Sequence, residues 1–280
     1  MRYSICLSYN GAEFCGWQIQ PTAPSVQAAL EQALSRLLGG AVPVTGAGRT
    51  DTAVNAVGYI AHFDFDGPLP YETSDFIYKL NAILPRSVVV HEVLPVPDDF
   101  HARFGARRRE YTYFIHRQKD PFVAPWSWQC AYPALDFDAM NQACRYLLGT
   151  HDFSCFEKTG TDNKTSICTV FDAFWRPYAP SYLSVISGSS SVISSGADPS
   201  SVISSGAEGE VEKSHPYWYF RIAADRFLRN MVRATVGSLI EVGRGKHSPE
   251  WIAELIKNGT RGDAGESVPG NALFLSKVLY

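Results

Sequence analysis

The chain has 280 residues, 45% hydrophobic and 13% aromatic, with a formal net charge of -3. That is enough apolar material to bury a sizeable core, in one large domain or two closely joined ones, and the near-neutral balance leaves any nucleic-acid binding to local Arg and Lys clusters. No stretch approaches the roughly 18 consecutive apolar residues of a membrane span, and Met1 and Arg2 lead straight into a strand pattern without a signal-peptide core, which points to the cytoplasm. Six cysteines (Cys6, Cys15, Cys130, Cys144, Cys155, Cys168) form no C-x-x-C pair and read as reduced, mostly buried thiols.

In chain order, RYSICLSY alternates, with Tyr3, Ile5, Leu7 and Tyr9 on one face, and predicts a half-buried strand. SVQAALEQALSRLLGG predicts a helix with Ser25 as N-cap, apolar Val26, Leu30, Ala33, Leu34, Leu37 and Leu38, and a stop at Gly39 and Gly40. AVPV and YIAHFDF read as strands, SDFIYKLNAIL as a helix and SVVVHEVLPV as a strand. The alternation repeats: EYTYFIHR as a strand, DAMNQACRYLLG as a helix, SICTVFDAFW and YWYFRIAAD as strands, RFLRNMVRATVGSLIEVG and PEWIAELIKNG as helices, ALFLSKVL as a closing strand. The simplest architecture is two α/β halves, 1–105 and 106–280, sharing one mixed, largely antiparallel central sheet with flanking helices. Between Trp175 and Tyr217 the pattern collapses into Gly, Ser and Glu with a duplicated SVISSGA, read as a mobile surface insertion at about 179–214.

Three stretches concentrate polar chemistry. In GAGRTDTAVNA, Arg49, Thr50 and Asp51 stand among small residues. Arg49 and Asp51 could be an ion pair tying a turn; alternatively the small neighbours admit a large ligand, with Arg49 keeping Asp51 ionised and contacting a phosphate. The glycines match neither a dinucleotide fingerprint nor a P-loop. DDFHARFGARRREYTYFIHR places Arg103, Arg107, Arg108 and Arg109 ahead of a strand on which Tyr111 and Tyr113 share a face, basic and aromatic side chains together as in phosphate contact plus base stacking. In DRFLRNMVRATVG, Arg226, Arg229 and Arg233 share a helical stripe by their spacing. Each cluster taken singly also fits a solvated face. His62, Asp64 and Asp66 share a strand face and read as solvated polar residues opposite Ala61, Phe63 and Phe65. Asp98 and Asp99 read as turn residues leading to His101 and Arg103.

Taken together, YNGAEFCGWQIQ with SVQ following, GAGRTDTAVNA, PDDFHARF, the basic run ending in YTY, FLRNMVRATVGSLIEVG and the closing ALFL resemble the tRNA pseudouridine synthase A family across nearly the whole chain. The resemblance implies the pseudouridine synthase fold and isomerisation of uridine to pseudouridine in the tRNA anticodon stem-loop (nucleotides 38 to 40), by a homodimer with no cofactor or metal. It makes Asp51 the catalytic residue, Arg49 its basic neighbour, Tyr111 the ring that stacks on the target base and Arg233 the partner of the acid. Thr50, Asn55 and Arg103, beside these motifs, complete the expected substrate contacts. The family usually reads GRTDAGVHA where this chain has GRTDTAVNA, so Thr52, Ala53 and Asn55 replace Ala, Gly and His. Those departures leave open a catalytically weak or silent tRNA-binding protein derived from the family.

Overall fold

A computed structural model of the protein describes residues 1–160, 164–186 and 215–280. Within them the strands are β1 (Arg2–Tyr9), β2 (Val44–Gly46), β3 (Asn55–Asp64), β4 (Val88–Val96), β5 (Arg108–His116), β6 (Trp128–Gln129), β7 (Gly149–Asp152), β8 (Ile167–Pro177), β9 (Tyr217–Ala224) and β10 (Leu273–Leu279). The helices are α1 (Val26–Leu38), α2 (Thr73–Ile83), α3 (Phe137–Cys144), α4 (Ser181–Ile186), α5 (Met231–Gly243) and α6 (Trp251–Asn258). All the strands join one sheet in the order β4-β1-β3-β10-β5-β9-β8-β7, with β2 on β3 and β6 on β5. Pairing is antiparallel except between β3 and β10 and between β5 and β6. The mixed, largely antiparallel sheet with flanking helices predicted from the alternation is therefore present.

Local rules account for most of the elements. Along β1 the predicted apolar face is buried, residue for residue, and the intervening positions are half-buried. Helix α1 starts where the Ser25 hydroxyl accepts the Ala28 N–H at 3.3 Å. It stops at Gly39, whose φ of 77° would strain any residue with a side chain. Its buried stripe of Val26, Leu30, Ala33 and Leu34 closes the core of the first half. In the second half Phe137 stacks on Trp218 at 3.6 Å, and α3 packs beside the almost wholly buried α5.

The topology turns on the last strand. β10 inserts between β3 and β5, with Phe274 opposite Asn55 on one side and Leu275 opposite Tyr111 on the other. The strand after the GRTD loop and the strand carrying the YTY pair thus share a neighbour, although some 55 residues separate them in sequence.

Three expectations are corrected. The helix read from Arg226 begins only at Met231, because Asn230 adopts a left-handed φ of 67° that no helix tolerates. Arg226 and Arg229 therefore precede α5 and share no helical stripe with Arg233. The proposed insertion begins with structure: residues 181–186 form α4, and the Tyr182 hydroxyl donates to Asp120; the repeats themselves lie outside the described residues. Finally, His62 is not on a solvated face. It is 5% exposed, stands edge-on to Phe100, and its Nδ1 accepts the Ala102 N–H at 3.1 Å. Asp64 does face solvent and pairs with Arg2 at 2.8 Å.

Burial pushes His62 down to about 4, with the nearby Arg2 and His101 adding to the effect and Asp64 opposing it. The folded protein holds this ring neutral while the unfolded chain protonates it near its ordinary value of 6.5, so stability is full above that value and falls as pH drops toward 4. Urea unfolding between pH 7 and pH 4 will show this loss, and His62→Gln, which still offers an acceptor to Ala102, will flatten it.

Candidate active site

The GRTD loop lies on a floor of aromatic rings. Trp17 and Tyr59 stack at 4.1 Å, and Tyr9 meets both. The Tyr59 hydroxyl donates to the Gly48 carbonyl, while the Tyr9 hydroxyl bonds the Thr50 hydroxyl at 2.9 Å. The YNGAEFCGW segment, which supplies Tyr9 and Trp17 of that floor, also binds the loop through its backbone. Trp17 N–H donates to Thr50 O at 3.3 Å, and Ala53 N–H to Phe14 O at 3.3 Å. Glycine is required at that contact: a Cβ on Gly16, whose φ is +94°, would lie 2.2 Å from the Thr50 carbonyl, and one on Gly11 2.2 Å from that of Val54. The two glycine-bearing motifs of the sequence are thus one packed unit.

Above this floor Asp51 opens into a cavity of about 500 Å³, room for a nucleotide. Asp51 is the one carboxylate among its described lining residues. Lys158, Arg229, Arg233 and Arg261 supply four cations, and Thr52, Asn230 and Ser267 supply neutral polar groups. Arg233, in the first turn of α5, stands with Nη1 3.6 Å from Asp51 Oδ2, and its Nε donates to Val268 O at 2.7 Å. Arg261 is held by Gly265 O at 3.0 Å and by the Ser267 hydroxyl at 2.8 Å, and Asn230 reaches the same hydroxyl at 2.6 Å. Arg229 is exposed and its guanidinium has no partner among the described residues. The site therefore offers one acid, half-shielded by one cation, beneath a cationic wall.

Of the residues named from sequence, the structure brings Asp51 and Arg233 into contact. The cation beside Asp51 is thus Arg233 and not Arg49, which is exposed and unpaired among the described residues, so the turn-tying ion pair is not formed. Tyr111 is 8% exposed, packs edge-on against Phe227 at 5.0 Å and is not among the residues lining the cavity. Burial keeps its phenol well above the ordinary range, hence neutral. Thr50 is buried against Tyr9, and Arg103 is exposed. Asn55 is 2% exposed and wholly engaged: its Oδ1 accepts the Gly11 N–H at 2.9 Å and its Nδ2 donates to Asn271 O at 2.7 Å. It reaches no ligand and works as a brace between the loop and the approach to β10.

The basic run before β5 also divides. Arg109 spends all five N–H groups on backbone carbonyls, those of Ala47, Arg103, Ala106 and Asp225. Arg108 pairs with Glu110 at 2.9 Å, leaving Arg103 and Arg107 exposed to solvent. Sequence reasoning missed Lys158, Asn230, Arg261 and Ser267 as lining residues. Each sits in a loop or turn with no periodic pattern to mark it, and only the closing of the sheet brings them together.

A family model described as tRNA pseudouridine synthase matches residues 143–280. The chain is 41% identical over 282 residues to tRNA pseudouridine synthase A of Parabacteroides distasonis, covering 100% of this chain and 96% of that protein. It is 40% identical to the protein of the same name from Porphyromonas gingivalis, covering 100% of this chain and 97% of the relative. With the more distant Maridesulfovibrio salexigens protein, also named tRNA pseudouridine synthase A, identity is 33% and coverage 100% and 90%. The chain belongs to the tRNA pseudouridine synthase A family.

Within the tRNA pseudouridine synthase A pattern, the departures at Thr52, Ala53 and Asn55 now have physical readings. Ala53 stands where the usual motif has Gly and adopts a left-handed φ of 63°, a strain of about 1 kcal/mol that its bond to Phe14 O helps absorb. Thr52 is exposed at the cavity edge. Asn55 replaces the usual His with an amide that serves one backbone donor and one backbone acceptor at once. Asn55→Ala leaves the buried Gly11 N–H without its acceptor and will lower stability by about 2 kcal/mol, read as a fall in the urea midpoint.

Proposed function

We propose that the protein isomerises uridine to pseudouridine in the anticodon stem-loop of tRNA, in the cytoplasm, with Asp51 as the catalytic residue. The observation that carries this reading is a lone carboxylate, Asp51, in a nucleotide-sized cavity whose other charged lining residues, among those described, are all cations. The reaction breaks the bond from uracil N1 to ribose C1′, turns the base, joins C5 to C1′ and releases the C5 proton. One carboxylate suffices, either adding to a sugar or base carbon as nucleophile or taking a ribose proton so that a glycal forms. Arg233 stands 3.6 Å from the carboxylate, too far for a short bidentate pair that would occupy both of its oxygens.

The remaining groups suit the nucleotide that enters. A uridine must leave its stack at a cost of a few kcal/mol. Arg229, Arg261 and Lys158 face the cavity and would hold the phosphates on either side of it. Arg49 and Arg103, exposed beside the loop, extend that track along the RNA. Tyr111 stacks on the target base once the ring it now packs against, Phe227, yields. Against a silent binding protein stands the bracing of two of the altered loop positions, Ala53 by Phe14 O and Asn55 by Gly11 and Asn271.

A homodimer is part of the same proposal. The sheet face opposite Trp218, Phe220 and Ile222 presents half-buried Phe114, Phe174, Tyr219 and Phe274 in mutual ring contact, with Arg221 tied to Glu110 at 2.7 Å. Such a patch suits an isologous contact, and a stable one would bury about 1,200 to 2,000 Å². Sedimentation equilibrium will return twice the 30.9 kDa chain mass; a monomer at micromolar concentration would sink this part of the reading.

The chemistry is tested with anticodon-arm RNA tritiated at uracil C5. Wild type will release tritium, and Asp51→Ala will bind RNA and release none. Arg229→Gln will do the reverse, keeping kcat while raising KM and lowering the slope of log affinity against log salt by about 0.7, one phosphate contact on a single strand. Tight binding without release by wild type, on several tRNAs, would overturn the enzymatic reading.

A further inference from the structure

Neither the fold nor the proposed reaction accounts for Phe104. Its ring is 76% exposed, forgoing the burial that aromatic rings ordinarily obtain. The loop beneath it is nevertheless firmly built. His101 Nδ1 accepts the N–H groups of both Arg103 and Phe104, at 3.1 and 3.2 Å, and His101 O accepts that of Gly105 at 2.8 Å. The Tyr280 hydroxyl donates to Ala102 O at 2.7 Å, and the His101 ring leans on Phe104 at 4.5 Å. A loop held at so many points presents its exposed ring in a fixed place.

That place adjoins the candidate active site. The guanidinium of Arg109 takes Arg103 O at 2.6 Å and Ala47 O at 2.9 Å, so the Phe104 loop and the GRTD loop hang from one side chain. Over one face of the ring, 5.5 Å from its centroid, lies the exposed guanidinium of Arg103. A largely exposed aromatic ring and an exposed cation on a rigid support are what an unstacked base and its phosphate require.

We propose that Phe104 is a stacking platform for an unpaired nucleobase of the substrate RNA, next to the uridine that enters the cavity, with Arg103 on the adjoining phosphate. The inference rests on the RNA substrate proposed above and adds a second base-recognition point outside the cavity. Stacking reads a π-face and not hydrogen-bond donors, so the platform demands that a base be unpaired there and tolerates its identity.

The test uses the full-length protein and anticodon-arm transcripts carrying 2-aminopurine at each unpaired loop position in turn. Wild type will quench one position on binding; Phe104→Trp will keep that quenching, while Phe104→Ala and Phe104→Leu will lose it. Phe104→Ala will raise KM about tenfold, the loss of one base–aromatic stack, with kcat little changed. Because the ring is exposed, the variants will melt with wild type. Wild-type turnover in which no quenching depends on Phe104, or in which Leu serves as well as Phe, would overturn the platform alone. A shift of Phe104→Ala from dimer to monomer would make the ring a subunit contact and overturn it too. Absence of RNA binding by wild type would defeat both this inference and the proposed function.

Discussion

One guanidinium holds the working surfaces of this protein in register. Arg109 directs all five of its N–H groups at the carbonyls of Ala47, Arg103, Ala106 and Asp225. These lie on the approach to the GRTD loop, on the HARF loop, at the start of β5 and on the turn that leads to Arg229 and Arg233. Burial depresses its basicity but leaves it charged, and no carboxylate among the described residues pairs with it. A planar fork with five fixed donors can join three chain segments in this way, and a lysine with its single ammonium cannot. Segments remote in sequence thereby acquire fixed separations that neither sheet pairing nor helix packing would impose on loops.

Beneath the clamp, two further constraints act on the loop that carries Asp51. From below, Tyr9, Trp17 and Tyr59 form a stacked floor whose hydroxyls take up Gly48 and Thr50. From the side, β10 pairs with β3 at Asn55 and with β5 at Tyr111, so this strand sets the spacing between the GRTD loop and Tyr111. The left-handed Ala53 is tolerated because these contacts over-determine the loop; strain of that size persists only where the surroundings leave no relaxed alternative.

What could be read from sequence follows the same physics. Strand β1, helix α1 with its Ser25 cap and Gly39 stop, and the shared strand face of Tyr111 and Tyr113 rest on local periodicity and capping, and all were legible; that this face is buried was not. Asp51 and Arg233 were named together only through resemblance, since nothing local announces that a loop and a helix start will meet. Arg109 is the instructive miss: flanked by arginines before an aromatic strand, it reads as part of an RNA-facing patch, and only the folded chain shows its donors turned inward. Asn55 misleads in the same direction, a polar residue in a motif that becomes a brace. The start of α5 was misplaced because one left-handed residue, Asn230, ends a periodicity that the apolar pattern would have continued.

The contrast between acid and cations is itself informative. A carboxylate that makes or receives a bond in the reaction must be held within a fraction of an ångström, and its loop is fastened at Ala47, Gly48, Thr50, Ala53 and Val54. A cation that only gathers phosphates acts through charge, over longer distances and with little demand on geometry. Arg229 stands on a turn outside α5, exposed and with its guanidinium unpartnered among the described residues, as the proposed phosphate contact requires. Arg233 lies between the two cases, fixed at Nε by Val268 yet 3.6 Å from Asp51, too far for a short bidentate pair. The rigid half of the site follows from the floor and the clamp, and the adaptable half from residues that neither of them holds.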